Sequence, residues 1–363
     1  MEKPVNIRTI AIFSGSIIAF LIGSGFATGQ EVLQYFAAYG YKGIAGALLT
    51  LLLLVYVCSE FLVVGYTERF KKGNDIYKYY CGEKLGTCFD YFSTLFCFLS
   101  FIVMVAGAAA TLHQHYNLPP IVGALIIGIL TLITVLNGLL KLVEVIGKVG
   151  PVIVIISIIL GVTSLLKNYT SLDPKIVYKA LANVENQSKL VKASSTWYLA
   201  SFSYVGFCML WLAGFLSSLG AKAGSKKEAR IGGVFGAILF SIAVIIVALG
   251  LLATIEITAG TQIPMLHLAN DISPIFSSLF ALIILAGIYT TAVPLLWNVS
   301  SRFTDEKTKS FKILTISLVI IGVIVGLWIP FAKLINIVYV INGYFGAILL
   351  LIMIFKTLKG RKH

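Results

Sequence analysis

The sequence predicts an all-α polytopic membrane protein of ten transmembrane helices, built as two sets of five that enter the bilayer from opposite faces. Three observations predict it. Of 363 residues, 58% are hydrophobic and 12% charged, with mean hydropathy +0.96, whereas a soluble domain carries about 25% charged residues. Ten apolar stretches, each long enough for the roughly 20 residues a span requires, fill the chain and leave no room for a separate soluble domain. The first span of each set also carries a glycine-and-hydroxyl interruption at mid-depth: Ile22-Gly23-Ser24-Gly25-Phe26 in one and Phe202-Ser203-Tyr204-Val205-Gly206-Phe207 in the other.

Taken in order, the first set spans 7–38, 43–66, 86–112, 119–139 and 145–166, and the second 196–219, 231–254, 274–297, 311–330 and 334–356. Residues 7–166 thus form one five-helix repeat, the polar 167–195 segment an extracellular connecting loop, 196–356 the second repeat and 357–363 a cytoplasmic tail. Five spans is an odd number, so the second set runs inverted relative to the first, which puts a ligand near the midplane between the two first helices. With the N-terminus inside, 21 Lys and Arg lie on the cytoplasmic side and 7 outside. Positive residues in short loops resist translocation, so both termini are placed in the cytoplasm of a cell-membrane protein. The net charge of +13 then reflects topology, with attraction to membrane lipid as a secondary effect, and does not call for a nucleic-acid partner.

Lys3 and Arg8 precede an apolar stretch longer than a signal-peptide core, so span 1 is expected to stay in the mature protein. Cys58, Cys81, Cys88, Cys97 and Cys208 fall in spans or on the cytoplasmic side. No structural disulfide and no metal site is expected among them.

Irregular backbone at membrane depth is tolerated where it lines a polar cavity. The competing account of the same glycines is close helix packing, and the sequence leaves both open. The Gly23-Ser24-Gly25 break resembles the helix 1 signature of the amino acid, polyamine and organocation transporter superfamily, and Ser203-Tyr204-Val205-Gly206-Phe207 is similar to its helix 6 break. The longer string Gly23-Ser24-Gly25-Phe26-Ala27-Thr28-Gly29-Gln30-Glu31 resembles that of the YkvI-type membrane proteins. This resemblance implies a LeuT-type five-plus-five fold with discontinuous helices 1 and 6, and a secondary transporter.

A helix stopped at Gly23 and restarted after Gly25 would turn the positive end of its outer half toward an anionic group such as the carboxylate of an amino acid. Ser24 adds a hydroxyl there, and Phe26 borders the break. From span 6, Tyr204 and Phe207 would close over a side chain, while Ser203 and carbonyls freed near Gly206 would receive an ammonium group.

The run Gly287-Ile288-Tyr289-Thr290-Thr291 in span 8 sets two hydroxyls one turn from a small residue. In sodium-coupled members of the fold this pattern forms an ion site with helix 1 carbonyls. Carried over, the resemblance implies the carbonyls of Ala19, Ile22 and Gly287 and the hydroxyls of Thr290 and Thr291. The alternative is that the threonine hydroxyls bond back to their own helix. Span 5 has no basic residue beyond Lys148, which favours sodium over a proton as the coupling ion. Glu31 argues for the proton, because intramembrane carboxylates mark ion pathways. Six residues of helix beyond Gly25 amount to a rise of roughly 9 Å, which puts Glu31 at an outer vestibule or gate, paired with Lys42 or Lys333. Glu60 and Asp90 are expected to face basic residues on the cytoplasmic side.

His113 and His115 read as loop residues, and Pro264-Met265-Leu266-His267-Leu268-Ala269 as a short amphipathic lid or an interfacial loop. The chain holds no phosphate loop, zinc motif or nucleophile constellation, so no enzyme is expected. The function expected is cation-coupled symport of a small amino acid or related amine-containing solute by alternating access, with no obligate protein partner. An amino-acid-sensing receptor on the same fold and a passive channel are the alternatives.

Overall fold

A computed structural model describes residues 5–137, 143–306 and 308–360; the side chain of Lys148 lies outside the described residues. The first span is split into α1 (Ile7–Leu21), α2 (Ser24–Thr28) and α3 (Gln30–Tyr35). The rest of the first set is α4 (Tyr41–Glu68), α5 (Asp75–Tyr116), α6 (Pro120–Asn137) and α7 (Val143–Lys167). After α8 (Pro174–Asn186) come α9 (Trp197–Gly220), α10 (Lys226–Ala253), the short α11 (Ile255–Thr258) and α12 (Pro264–Asn270), then α13 (Pro274–Phe303), α14 (Lys309–Trp328) and α15 (Phe331–Gly360). Among the described residues nine helices are long and apolar enough to cross a membrane, and Ile7–Leu21 is a shorter apolar helix. With α2 and α3 continuing its course, α1 makes the tenth crossing.

The helix contacts have the two-fold pattern of an inverted repeat. Each first span lies on the second span of the other set, α1 on α10 and α9 on α4. The two second spans α4 and α10 touch, the two third spans α5 and α13 cross, and the two fourth spans α6 and α14 pack together. Each fifth span returns to its own first, α7 to α1 and α15 to α9. These contacts bury the two first spans at the centre, which is where a polar group would be shielded from lipid.

Several boundaries differ from the sequence reading, each for a local reason. The third span begins eleven residues early because Asp75–Tyr116 is continuous apart from a kink at Gly82, whose φ is 74°. Its charged first turns run before the apolar stretch. The connecting segment is not simply a loop: Asp173 accepts from the Lys175 amide to cap α8 and Pro174 opens it, with Val177, Ala180, Leu181 and Val184 buried along one side. The supposed tail is helical as far as Gly360.

Both ends of the bundle are fastened by polar contacts. Where the chain begins and ends, Glu228 in the first turn of α10 clamps the start of α1: Oε1 accepts from the Asn6 amide at 2.6 Å and Oε2 from the Gly224 amide at 2.7 Å. Nearby, Asp90 is ion-paired with Arg302 and accepts from Asn74 Nδ2 at 2.6 Å, as expected of an acid on that side. At the far end the fastening is made of amides. Gln34 Nε2 donates to the Ala332 carbonyl at 2.8 Å, and Asn336 Nδ2 donates to Gln34 Oε1 and to the Lys192 carbonyl at 3.0 Å each. Gln262 Oε1 accepts from the Ala332 amide at 2.9 Å, and Gln114 Oε1 accepts from the Gln262 and Ile263 amides at 3.1 and 2.9 Å. His115 joins this end to α13 through Ser278 Oγ at 2.9 Å, so it is a helix-end residue with a partner rather than a loop residue.

Candidate functional site

The site begins with the break in the first span. Gly-Ser-Gly is a poor helix former. The chain leaves the helix at Ile22 (φ −86°, ψ 94°) and Gly23 (φ −102°, ψ −171°), then restarts at Ser24. The break therefore lies one to two residues earlier than expected. A second turn follows at Gly29, where φ is 80°, a left-handed conformation open to glycine at little cost. Met265 of α12 sits against it, so close that a Cβ on Gly29 would lie 2.6 Å from Met265 Cγ. The Pro264–Asn270 segment is thus a buried short helix covering this turn.

The turn at Gly29 relocates Glu31. A continuous helix would carry it outward, but α3 sets off in a new direction after Gly29, so that the Glu31 carboxyl abuts the α-carbon of Gly25. Glu31 is 1% exposed. Its Oε1 accepts from the Tyr204 hydroxyl at 3.0 Å, and its Oε2 has no hydrogen-bond partner. Placement at an outer gate beside Lys42 or Lys333 is corrected accordingly: the acid is central, and its partner is a tyrosine.

Span 6 also needs correction. The α9 helix runs unbroken from Trp197 to Gly220, so no carbonyls are freed at Ser203 to Phe207. Gly206 serves packing instead. A Cβ there would collide with the Gly343 carbonyl of α15, and one on Gly346 would collide with the Gly206 carbonyl. Ser203 faces the same helix, with its Oγ donating to the Val340 carbonyl at 3.4 Å. Phe26 points away from the break, toward Phe240 of α10 at 5.5 Å between ring centroids.

An intact α9 instead presents a stripe of aromatic side chains at positions 204, 207 and 211. Phe207 stacks on Tyr339 of α15 at 4.8 Å, Trp211 meets Tyr339 edge-on at 5.5 Å, and Phe96 of α5 stacks on Trp211 at 5.5 Å. Tyr35 meets Tyr204 edge-on at 5.3 Å. Among these rings and the break, Trp211 Nε1 and Glu31 Oε2 are buried without hydrogen-bond partners, while the Tyr339 and Tyr35 hydroxyls face those of Ser24 and Ser203. An unanswered polar atom is costly in a packed core, which makes the surroundings of the break the candidate binding place. Trp211, Tyr339 and Tyr35 were not singled out from the sequence. The spacing from Tyr204 and Phe207 to Trp211 follows one helix face and would have found that residue, whereas Tyr339 is 128 positions from Trp211 in the sequence and leaves no local signal.

The span 8 residues converge on the same break. Thr291 Oγ1 lies 3.2 Å from the Ile22 carbonyl and 3.0 Å from the Gly287 carbonyl, and Thr290 Oγ1 lies 2.9 Å from the Gly287 carbonyl. Ala19 packs one turn earlier, against Gly150 of α7. Four oxygens from α1 and α13 therefore gather beside the unwound backbone. Two of the three contacts are bonds of a threonine to its own helix, and the Thr291 to Ile22 contact is the one that joins the helices.

The arrangement defines a class: an α-helical membrane protein of the LeuT-type fold, with a broken first helix at the centre of two inverted five-helix sets. The chain covers 89% of itself and 72% of an Eremococcus coleocola manganese transporter solved with an aromatic bis-isothiourea compound, at TM-score 0.57 and 16% identity. It aligns over 90% of its length with 79% of MhsT in complex with L-phenylalanine, at TM-score 0.56 and 17% identity. In sequence the chain is similar to the uncharacterized membrane protein YkvI of Bacillus subtilis strain 168, with 22% identity over 338 residues, 91% of this chain and 92% of that one. It is also similar to YyaD of the same organism, with 25% identity over 289 residues, 79% of each. No protein-family model matches.

Proposed function

We propose that the chain is a secondary transporter in which entry of a small amine-bearing solute, such as an amino acid, is coupled to a cation by alternating access around the α1 break. Both termini would be cytoplasmic, on the count of 21 against 7 basic residues. The observation that carries this reading is the contact of Thr291 with the Ile22 carbonyl, 3.2 Å across the gap between α13 and the unwound backbone. It supports an all-oxygen site of the kind sodium prefers, assembled from two helices that rocking of one set against the other would separate. One structural neighbour is a manganese transporter and the other was solved in complex with L-phenylalanine. For this chain the buried groups beside the α1 break are the Glu31 carboxyl, hydroxyls and aromatic rings. Among the described residues no three His, Cys, Asp or Glu side chains converge, which favours an organic amine over a transition metal.

Purified protein in vesicles should accumulate such a solute down an imposed sodium or proton gradient and show counterflow. Binding without accumulation would replace this reading with that of a receptor, and unsaturable flux with that of a channel. Thr291→Ala removes the hydroxyl between the helices and should weaken sodium activation about tenfold, taking roughly 1.4 kcal/mol for one lost oxygen ligand, with the melting temperature little changed. Unaltered sodium activation would take the coupling site away from α13.

A further inference from the structure

We infer that residues 73–81, the first turns of α5 and the two residues before them, form a gate hinged at Gly82 that closes the way from the α1 break to the end of the bundle where the chain begins. The inference concerns access and goes beyond the transport reading; it is the same whichever cargo or ion is carried.

The first observation is where the segment lies. Ile76, Tyr77 and Tyr80 are buried along one side of it, and Asp75, Lys78 and Tyr79 are partly exposed on the other. The buried side meets the later half of α9, where the Tyr77 hydroxyl donates to the Leu210 carbonyl at 3.0 Å. One turn further on, a Cβ on Gly73 would fall on the Gly214 carbonyl, and one on Gly214 would fall on Asn74 Oδ1. Lys356 of α15 grips the other edge: its ammonium donates to the Tyr79 carbonyl and lies 3.8 Å from the centroid of the Tyr79 ring. Leu210 precedes Trp211, whose ring a Cβ on Gly23 would touch at 3.4 Å. The segment is therefore the next layer beyond Trp211 on the way out from the break.

The second observation is how the segment is attached. At Gly82 φ is 74° and ψ 176°, a combination that essentially only glycine enters. In a continuous helix positions 78 and 86 stand about 12 Å apart along the axis, whereas here a Cβ on Gly86 would lie 2.5 Å from the Lys78 α-carbon. The segment is thus folded back on its own helix, with the Tyr77 ring stacked on Phe89 at 6.2 Å between centroids. Asn74 Nδ2 donates to Asp90, which Arg302 of α13 holds. One set of contacts ties the segment to α9 and α15, the other to α5 and α13, and parting of these two pairs of helices breaks one set. The ties to α9 and α15 are one hydroxyl, one ammonium and a glycine contact, and the segment is covalently joined to α5. A Cβ built at Gly82 meets nothing within 4 Å, so that joint has the backbone freedom and the space that a hinge needs.

Cys208 of α9 reports the opening, because its thiol is 1% exposed and faces Glu31. The full chain in vesicles, with Cys81→Ser and Cys88→Ser, is treated with a membrane-impermeant maleimide on the side where the chain begins, and labelling of Cys208 is read by peptide mass. Asn74→Cys with Gly214→Cys ties the gate to α9: a Cβ at 214 would lie 3.3 Å from Asn74 Cγ, where a cysteine places its sulfur, close to the separation a disulfide needs. Oxidation of that pair should lower Cys208 labelling about tenfold or more, and dithiothreitol should restore it. Gly82→Ala adds a methyl in open space and disfavours the closed conformation alone, so it should raise labelling about fivefold or more.

Labelling indifferent to the bridge, labelling not raised by Gly82→Ala, or no labelling of the reduced protein from this side would each overturn the inference. The two arms are separate proteins, so if the cysteine pair fails to fold or to bridge, Gly82→Ala decides. Uptake separates the two claims. A bridge that blocks labelling in a protein that accumulates no solute would sink the transport reading and leave the gate, whereas solute uptake that continues with the bridge closed would do the reverse.

Discussion

Gly25→Ala should abolish saturable uptake while leaving a protein that inserts, purifies and melts much as the parent does. A Cβ at position 25 would overlap the Glu31 carboxyl and lie 3.1 Å from the Tyr339 ring. The carboxyl can swing away about its own rotatable bonds, so the fold absorbs the methyl at modest cost. The geometry of the site cannot absorb it, because Oε1 must leave the Tyr204 hydroxyl and the ring wall must retreat with it. Displacements of about 1 Å at a reacting or binding centre cost about 100-fold in rate, and a loss of that size is expected in uptake by reconstituted vesicles. Activity within a few-fold of the parent would mean that Glu31 has no part in the transport cycle. Alanine at this position is otherwise a good helix residue, so loss of function cannot be laid to helix propensity.

Gly206→Leu should have the opposite signature, loss of the protein itself. At this crossing α9 and α15 touch backbone to backbone: a Cβ at 206 would fall on the Gly343 carbonyl, and one at 346 on the Gly206 carbonyl. Unlike the Glu31 side chain, a helix backbone has nowhere to swing. Leucine must force the helices apart and break the contacts that hold Tyr339 against Phe207. Overpacking of this kind costs about 3 kcal/mol or more, enough to deplete folded protein from the membrane fraction and to lower the melting temperature of what remains. Gly15→Ala is the matching control, because an added Cβ there meets nothing within 4 Å. It should be neutral or slightly stabilising. If Gly206→Leu accumulated and melted like the parent, the close crossing of α9 and α15 would be wrong.

These two glycines also show how far the sequence can be read. Gly25 and Gly206 give the same signal in a string of letters, a small residue amid apolar ones, yet one sits beside broken backbone and the other inside an intact helix. What separates them is the partner each faces, Glu31 in one case and Gly343 in the other, and those lie 6 and 137 positions away. The ten spans were legible because hydropathy is a property of the segment itself. So was the approach of Thr291 to the first span, because a motif fixed both ends.

The position of Glu31 was not legible, for a reason that can be located in one dihedral angle. Counting rise per residue assumes that the helix continues, and at Gly29 a φ of 80° interrupts it and redirects the next helix. Glycine at 29 permits that conformation without requiring it; the burial of Met265 against the turn is what selects it. The amphipathic α8 was lost for a related reason, since four buried positions among thirteen residues are too dilute to register against the polar background of the connecting segment.

The amide fastening at the far end has a consequence for the conditions under which such a molecule could work. Gln34, Asn336, Gln262 and Gln114 hold the cover through neutral dipoles. Mobile ions screen interactions between charges over a few ångströms to tens of ångströms, depending on salinity, but short contacts between neutral, half-buried amides offer them little to act upon. The cover should therefore fit equally well in dilute and in concentrated surroundings, and its opening should depend on whether water or a ligand can offer those amides better company than they offer one another.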